Sequence, residues 1–60
     1  MTKLLTYKQV SEQLGIKLAT LYAMVHRREI PHLRLGPRMV RFSLSEIEAW
    51  LLQKAEAGKL

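Results

Sequence analysis

The sequence predicts a mainly α-helical domain that carries one small β-hairpin. Three observations lead there. Apolar residues recur at helical spacing on both sides of Gly15-Ile16-Lys17, apolar and basic residues alternate around Gly36-Pro37, and a capping box precedes Ile47 and Trp50. The order is helix, turn, helix, two strands, helix.

The first helix starts at Thr6. Thr6-Tyr7-Lys8-Gln9 matches a capping box, in which the Thr hydroxyl takes the amide of Gln9 and Gln9 reaches back. Leu5 and Val10 stand where a hydrophobic staple joins the entering chain to the first turn. Tyr7, Val10 and Leu14 form its apolar stripe, and Gly15 supplies the left-handed residue that ends it.

The second helix follows after three residues. Leu18, Leu21 and Val25, with Met24 beside them, make its expected buried stripe. Ala19, Thr20, Ala23, His26 and Arg27 make the opposite face. Two helices joined by a short Gly-containing turn are a helix-turn-helix, whose second helix can enter a major groove. Lys17 stands where Ser, Thr, Asp or Asn normally caps. Either the helix frays there, or its free amides are kept for a phosphate. Pro31 is expected to end this helix and to hold Ile30 extended.

Leu33 to Phe42 read as a hairpin with a Gly36-Pro37 turn. Its expected inner face is Leu33, Leu35, Val40 and Phe42, with Arg34 and Arg41 outward and Arg38 near the tip. The last helix opens at Ser43 or Ser45, each followed three residues on by Glu, and Ser43 is preferred because Phe42 and Ile47 then form a staple. Ile47, Trp50, Leu51, Leu44 and the stem of Lys54 line one side, with Trp50 expected at the centre of the core. The pattern fades from Ala55 to Leu60, and Gly58 marks a frayed end.

Sixty residues bound the chain at one domain, residues 1–60, with an ordered part expected at about 4–55. The chain is 48% apolar and 25% charged, the mix of a globular protein. With no Cys, Asp or Asn, it has no disulfide framework, zinc knuckle or thiol nucleophile. So small a domain can barely enclose a catalytic pocket, so an enzyme is not expected. His26 and His32 are too few for a metal site, Ser43 and Ser45 read as caps, and neither cofactor nor metal is expected. The longest apolar run, Ala49 to Leu52, is far short of a membrane span or signal-peptide core, so a cytoplasmic protein is expected, nucleoid-associated if it binds DNA.

Charge is concentrated. The net is +5 overall, and residues 17–41 alone carry +5, from Lys17, Arg27, Arg28, Arg34, Arg38 and Arg41 against Glu29. Each arginine by itself reads as solvated surface. Five of them within fifteen positions, with one acid among them, read as an anion-binding face. RNA is disfavoured, because only four aromatic residues are present and no stacking platform is visible. No helix pairs flanking Lys/Arg with a broad Trp/Leu face, so a membrane surface is disfavoured too.

Leu5 to Val10, Leu14-Gly15-Ile16, Thr20-Leu21-Tyr22, Ile30-Pro31, Gly36-Pro37-Arg38, Arg41-Phe42 and Ile47 to Leu51 carry a resemblance. In that order they resemble the excisionase-type, MerR-like winged helix-turn-helix DNA-binding domains, over roughly residues 4 to 52. Such proteins are excisionases (recombination directionality factors) or AlpA-like transcription regulators of bacteria, phages and mobile elements. The resemblance implies a recognition helix that presents Lys17, Leu18, Ala19, Thr20, Tyr22, Ala23, His26 and Arg27. It implies a basic wing and flank of Arg28, Arg34, Gly36, Pro37, Arg38 and Arg41, with Arg38 able to enter a minor groove. Position 28 is usually Gly in these proteins, and here it is Arg28.

The partner implied is double-stranded DNA, with an integrase or recombinase, or further copies of the chain, beside it. Several residues keep a second reading. Ala19 and Ala23 either let the helix sit deep against thymine methyls or are simply good helix formers. Tyr22 either meets a phosphate or belongs to the core, and Thr20 either meets a phosphate or caps its own helix. The alternative function is a protein-interaction module whose basic face docks an acidic partner such as a recombinase, with DNA binding secondary.

Overall fold

The computed structural model describes residues 3–57, with side chains through Ala55. Its elements are β1 (Leu4–Leu5), α1 (Tyr7–Leu14), α2 (Leu18–His26), β2 (Leu33–Gly36), β3 (Met39–Ser43) and α3 (Leu44–Ala57). Three helices and a small antiparallel sheet make a mainly α winged helix-turn-helix. The expected fraying at Gly58 lies outside the described residues.

Local chemistry sets α1 at both ends. The Thr6 amide donates to Gln9 Oε1 at 2.9 Å and the Gln9 amide donates to Thr6 Oγ1 at 3.2 Å. Two amides without helical partners are thereby satisfied. Gly15 closes the helix at φ 67°, its amide bonded to the Ser11 carbonyl. A left-handed residue here costs glycine nothing.

The hairpin is part of a larger sheet. β1 pairs antiparallel with β3, Leu4 opposite Ser43 and Leu5 opposite Phe42, and gives a strand order β1-β3-β2. The Leu44 amide donates to the Lys3 carbonyl at 3.0 Å and carries this pairing to the first residue of α3. Nothing in the pattern of two leucines predicted that strand.

The core is Leu5, Val10, Leu21, Val25, Ile30, Val40, Phe42 and Ile47. Phe42 is fully buried and is the largest side chain at its centre. Trp50 is not the centre. It is half-buried at the edge of the core, lining an open groove with Pro31, Glu46, Ala49 and Gln53. Ile47 faces the core from α3, whereas Leu51 is 40% exposed. Lys54 Nζ lies 5.9 Å from the Trp50 ring centre, so the expected stem packing becomes a cation over an aromatic face. Ser43 caps α3 as expected, taking the Glu46 amide on its hydroxyl at 3.4 Å.

Three further leucines leave the expected core. Leu18 and Leu33 are both 39% exposed and Leu35 is 55% exposed. For the hairpin the reason is register. Leu33 pairs with Arg41, Arg34 with Val40 and Gly36 with Met39, so Leu35 is an extra residue in a bulge. Cross-strand partners share a face, which puts Leu33 with Arg41 and Arg34 on the side of Val40. Arg34 and Arg41 therefore do not project from one face.

Candidate nucleic-acid interface

The second helix presents its sequence-predicted outer face to solvent. Lys17, Leu18, Ala19, Thr20, Tyr22, His26 and Arg27 are exposed, and Ala23 is half-buried. The buried side of α2 is Leu21 and Val25, which anchor it against the core. Lys17 is the N-cap and no side chain caps the helix there, Thr20 included. The first amides of α2 therefore have no side-chain partner.

The far end of α2 is closed by backbone alone. The Arg27 amide donates to the Ala23 carbonyl and the Arg28 amide to Val25, each at 3.0 Å, and the Glu29 amide donates to Met24 at 2.8 Å. These last two bonds make a Schellman closure, whose turning residue must be left-handed. That residue is Arg28, at φ 59°. The helix thus stops at His26, before Pro31 has any influence, and an arginine occupies a conformation that costs a side chain about 1 kcal/mol. Pro31 instead follows buried Ile30, and His32 Nδ1 donates back to the Ile30 carbonyl at 2.9 Å.

On the wing, Arg34, Pro37 and Arg38 are exposed, and Gly36 and Arg41 are half-buried. The turn is centred on Pro37-Arg38, with Gly36 already paired to Met39 as the last residue of β2. Arg38 stands at the tip, as its position in the sequence implies. Gly36 is not required by its backbone, for an added Cβ meets only Met39 Cβ, at an ordinary 3.6 Å. Arg41 is partly engaged, its Nη1 donating to the Val40 carbonyl at 2.8 Å. No acidic residue occurs between Ile30 and Ser45, so the whole hairpin presents one sign of charge.

Tyr22 sits between the two readings given it by the sequence. It is 52% exposed, yet its ring lies 4.4 Å from that of Tyr7, tilted at 50°. Tyr7 in turn meets Phe42 edge-on at 5.3 Å. One face of Tyr22 is held by packing and the rest reaches solvent. Tyr7 joins the site only through this contact. Its place in the apolar stripe of α1 carries no sign of a partner fifteen residues away.

α1 packs on α2 and also on β3, so it holds the exposed helix and the hairpin in one frame. Among the described residues no three His, Cys, Asp or Glu side chains gather to hold a metal ion, and no helix is long and apolar enough to cross a membrane.

The sequence model of one family, described as a helix-turn-helix domain, matches residues 4–55. That span nearly coincides with residues 4 to 52, over which the excisionase-type resemblance holds, and is consistent with it. No curated protein and no solved structure matches the chain. A helix-turn-helix domain points to DNA binding.

Proposed function

The chain belongs to the helix-turn-helix domain family, and on that footing we propose that it is a sequence-preferring double-stranded DNA-binding protein. α2 enters the major groove and the hairpin lies in the adjacent minor groove. Its biological role is that of an excisionase, or of a related transcription regulator of a phage or mobile element, working on the nucleoid in the cytoplasm. It binds rather than catalyses, beside a recombinase or further copies of itself.

One observation carries this reading. The face of α2 that the core leaves free and a hairpin without a carboxylate share a stretch of net charge +5. Lys17, Arg27, Arg28, Arg34, Arg38 and Arg41 supply phosphate contacts, which position the protein without reading sequence. Thr20 and Tyr22 join these phosphate contacts, while Ala19, Ala23 and His26 face the base edges, the two alanines allowing close approach to thymine methyls. So few hydrogen-bonding groups on that face leave much of the preference to groove shape.

Gel shifts on random duplex DNA across a salt series test it. Neutralising five or six phosphates gives log affinity against log salt a slope of roughly −5. A flat response would end the electrostatic reading.

A further inference from the structure

The wing carries apolar side chains that the core does not use. Leu35 is 55% exposed and Met39 is 48% exposed, and they flank a tip whose Pro37 is exposed as well. The bulge explains how Leu35 came free, because it is the one residue of β2 without a partner on β3. Gly36 opposite Met39 offers no side chain to cover it.

Exposed leucine and methionine on a hairpin could serve a protein partner. The charge around them argues for a polyanion. Arg34 and Arg38 flank Leu35 and Met39 in sequence, and the nearest carboxylates in the chain are Glu29 and Glu46. Leu, Met and Pro are the residue types that architectural proteins insert between base steps from the minor groove, kinking the duplex.

We infer that Leu35 and Met39, behind the Pro37-Arg38 tip, form an apolar wedge that unstacks a base step in the minor groove and bends the DNA. This rests on the DNA-binding reading and adds to it a distinct act. Arginines hold the wing in the groove, and the two apolar side chains pay for no phosphate contact but deform the duplex. Flexible pyrimidine–purine steps are then favoured at a position where no base edge is read.

The probe is a short A/T-rich duplex with a fluorophore at each end and 2-aminopurine at a central TA step. Wild-type protein is expected to bring the ends together, by a bend in the range of roughly 20–90°, and to raise 2-aminopurine emission as its neighbour unstacks. A Leu35→Ser, Met39→Ser double variant is expected to lose the emission rise and most of the bend. Its affinity should fall by no more than ~10-fold and its salt slope should hold, since every arginine remains. Met39→Leu is expected to retain both signals.

Both replaced residues are exposed, and a circular dichroism melt checks that the double variant folds. Wild-type binding with silent 2-aminopurine would sink the wedge alone. No binding to any duplex would sink the wedge together with the DNA reading. A change in the sedimentation of the free protein, with bending intact, would make the patch a contact between copies and overturn the proposal.

Discussion

The Ser11 hydroxyl donates to the Ile16 carbonyl at 2.7 Å, and the Ile16 amide donates back to the Ser11 carbonyl at 3.1 Å. This closed ring spans Gly15 and fixes the turn between α1 and α2. Ser11→Ala removes one bond and leaves a half-buried carbonyl without it. The expected loss is about 1–2 kcal/mol by urea unfolding. Retention of full stability would mean that solvent replaces the hydroxyl at no cost.

Phe42 and Trp50 should separate cleanly. Phe42 is fully buried against Tyr7 and the core, so Phe42→Ala is expected to cost ~3–5 kcal/mol and to unfold so small a domain. Trp50→Ala, from a half-buried rim position, should leave a folded protein with a lower melting point. Circular dichroism melts of both variants decide this, and equal losses would contradict the burial pattern.

Arg28→Gly relieves a left-handed backbone at φ 59°. Stability should rise by about 1 kcal/mol, a shift of roughly 4–8 °C in the melting temperature of a domain this size. DNA affinity should fall in the same variant if Arg28 meets a phosphate. A more stable protein with unchanged affinity would remove Arg28 from the interface.

Arg38→Ala tests how the tip is used. In the minor groove, its loss should weaken binding most on sites with A/T-rich flanks, where the groove is narrow and attracts arginine. Competition gel shifts between A/T-rich and G/C-rich flanks measure this. Equal weakening on both would reduce Arg38 to a plain phosphate contact.

Tyr7 and Tyr22 are expected to act as a pair. Tyr7→Leu should weaken DNA binding by several-fold without altering the salt slope, because Tyr7 contributes by holding the Tyr22 ring. Adding Tyr22→Leu should then cost little more than Tyr22→Leu alone. Fully additive losses in the double-mutant cycle would show that the 4.4 Å contact does not reach the interface.

α1 was legible because its determinants are local. Thr6, Gln9 and Gly15 act within a few residues of themselves, and each does in space what its spacing implies. The cap of α3 at Ser43 was legible for the same reason. β1 was not, since two leucines carry no pattern of their own and their partners lie at Phe42 and Ser43. The exposure of Leu18, Leu33 and Leu35 has no signature in the sequence, because an apolar residue on a surface violates no rule. The size of Trp50 does not fix its position, which is the edge of the core.

The basic residues were legible as a set, while their geometry was not. One unpaired residue, Leu35, shifts the hairpin register and parts Arg34 from Arg41. The left-handed turn at Arg28 could be suspected only from the glycine that the resemblance would put there. The Tyr7–Tyr22 contact joins two helices, and no local spacing encodes it.

β3 is hydrogen-bonded along both flanks, which leaves the sheet with β1 and β2 as its margins. One margin is only two residues long, and the other is kinked by its bulge, bears Arg34 and runs into Pro37. Neither offers a straight, neutral template on which a foreign strand could dock. The protein can therefore reach high local concentration without its ribbons zippering into aggregates.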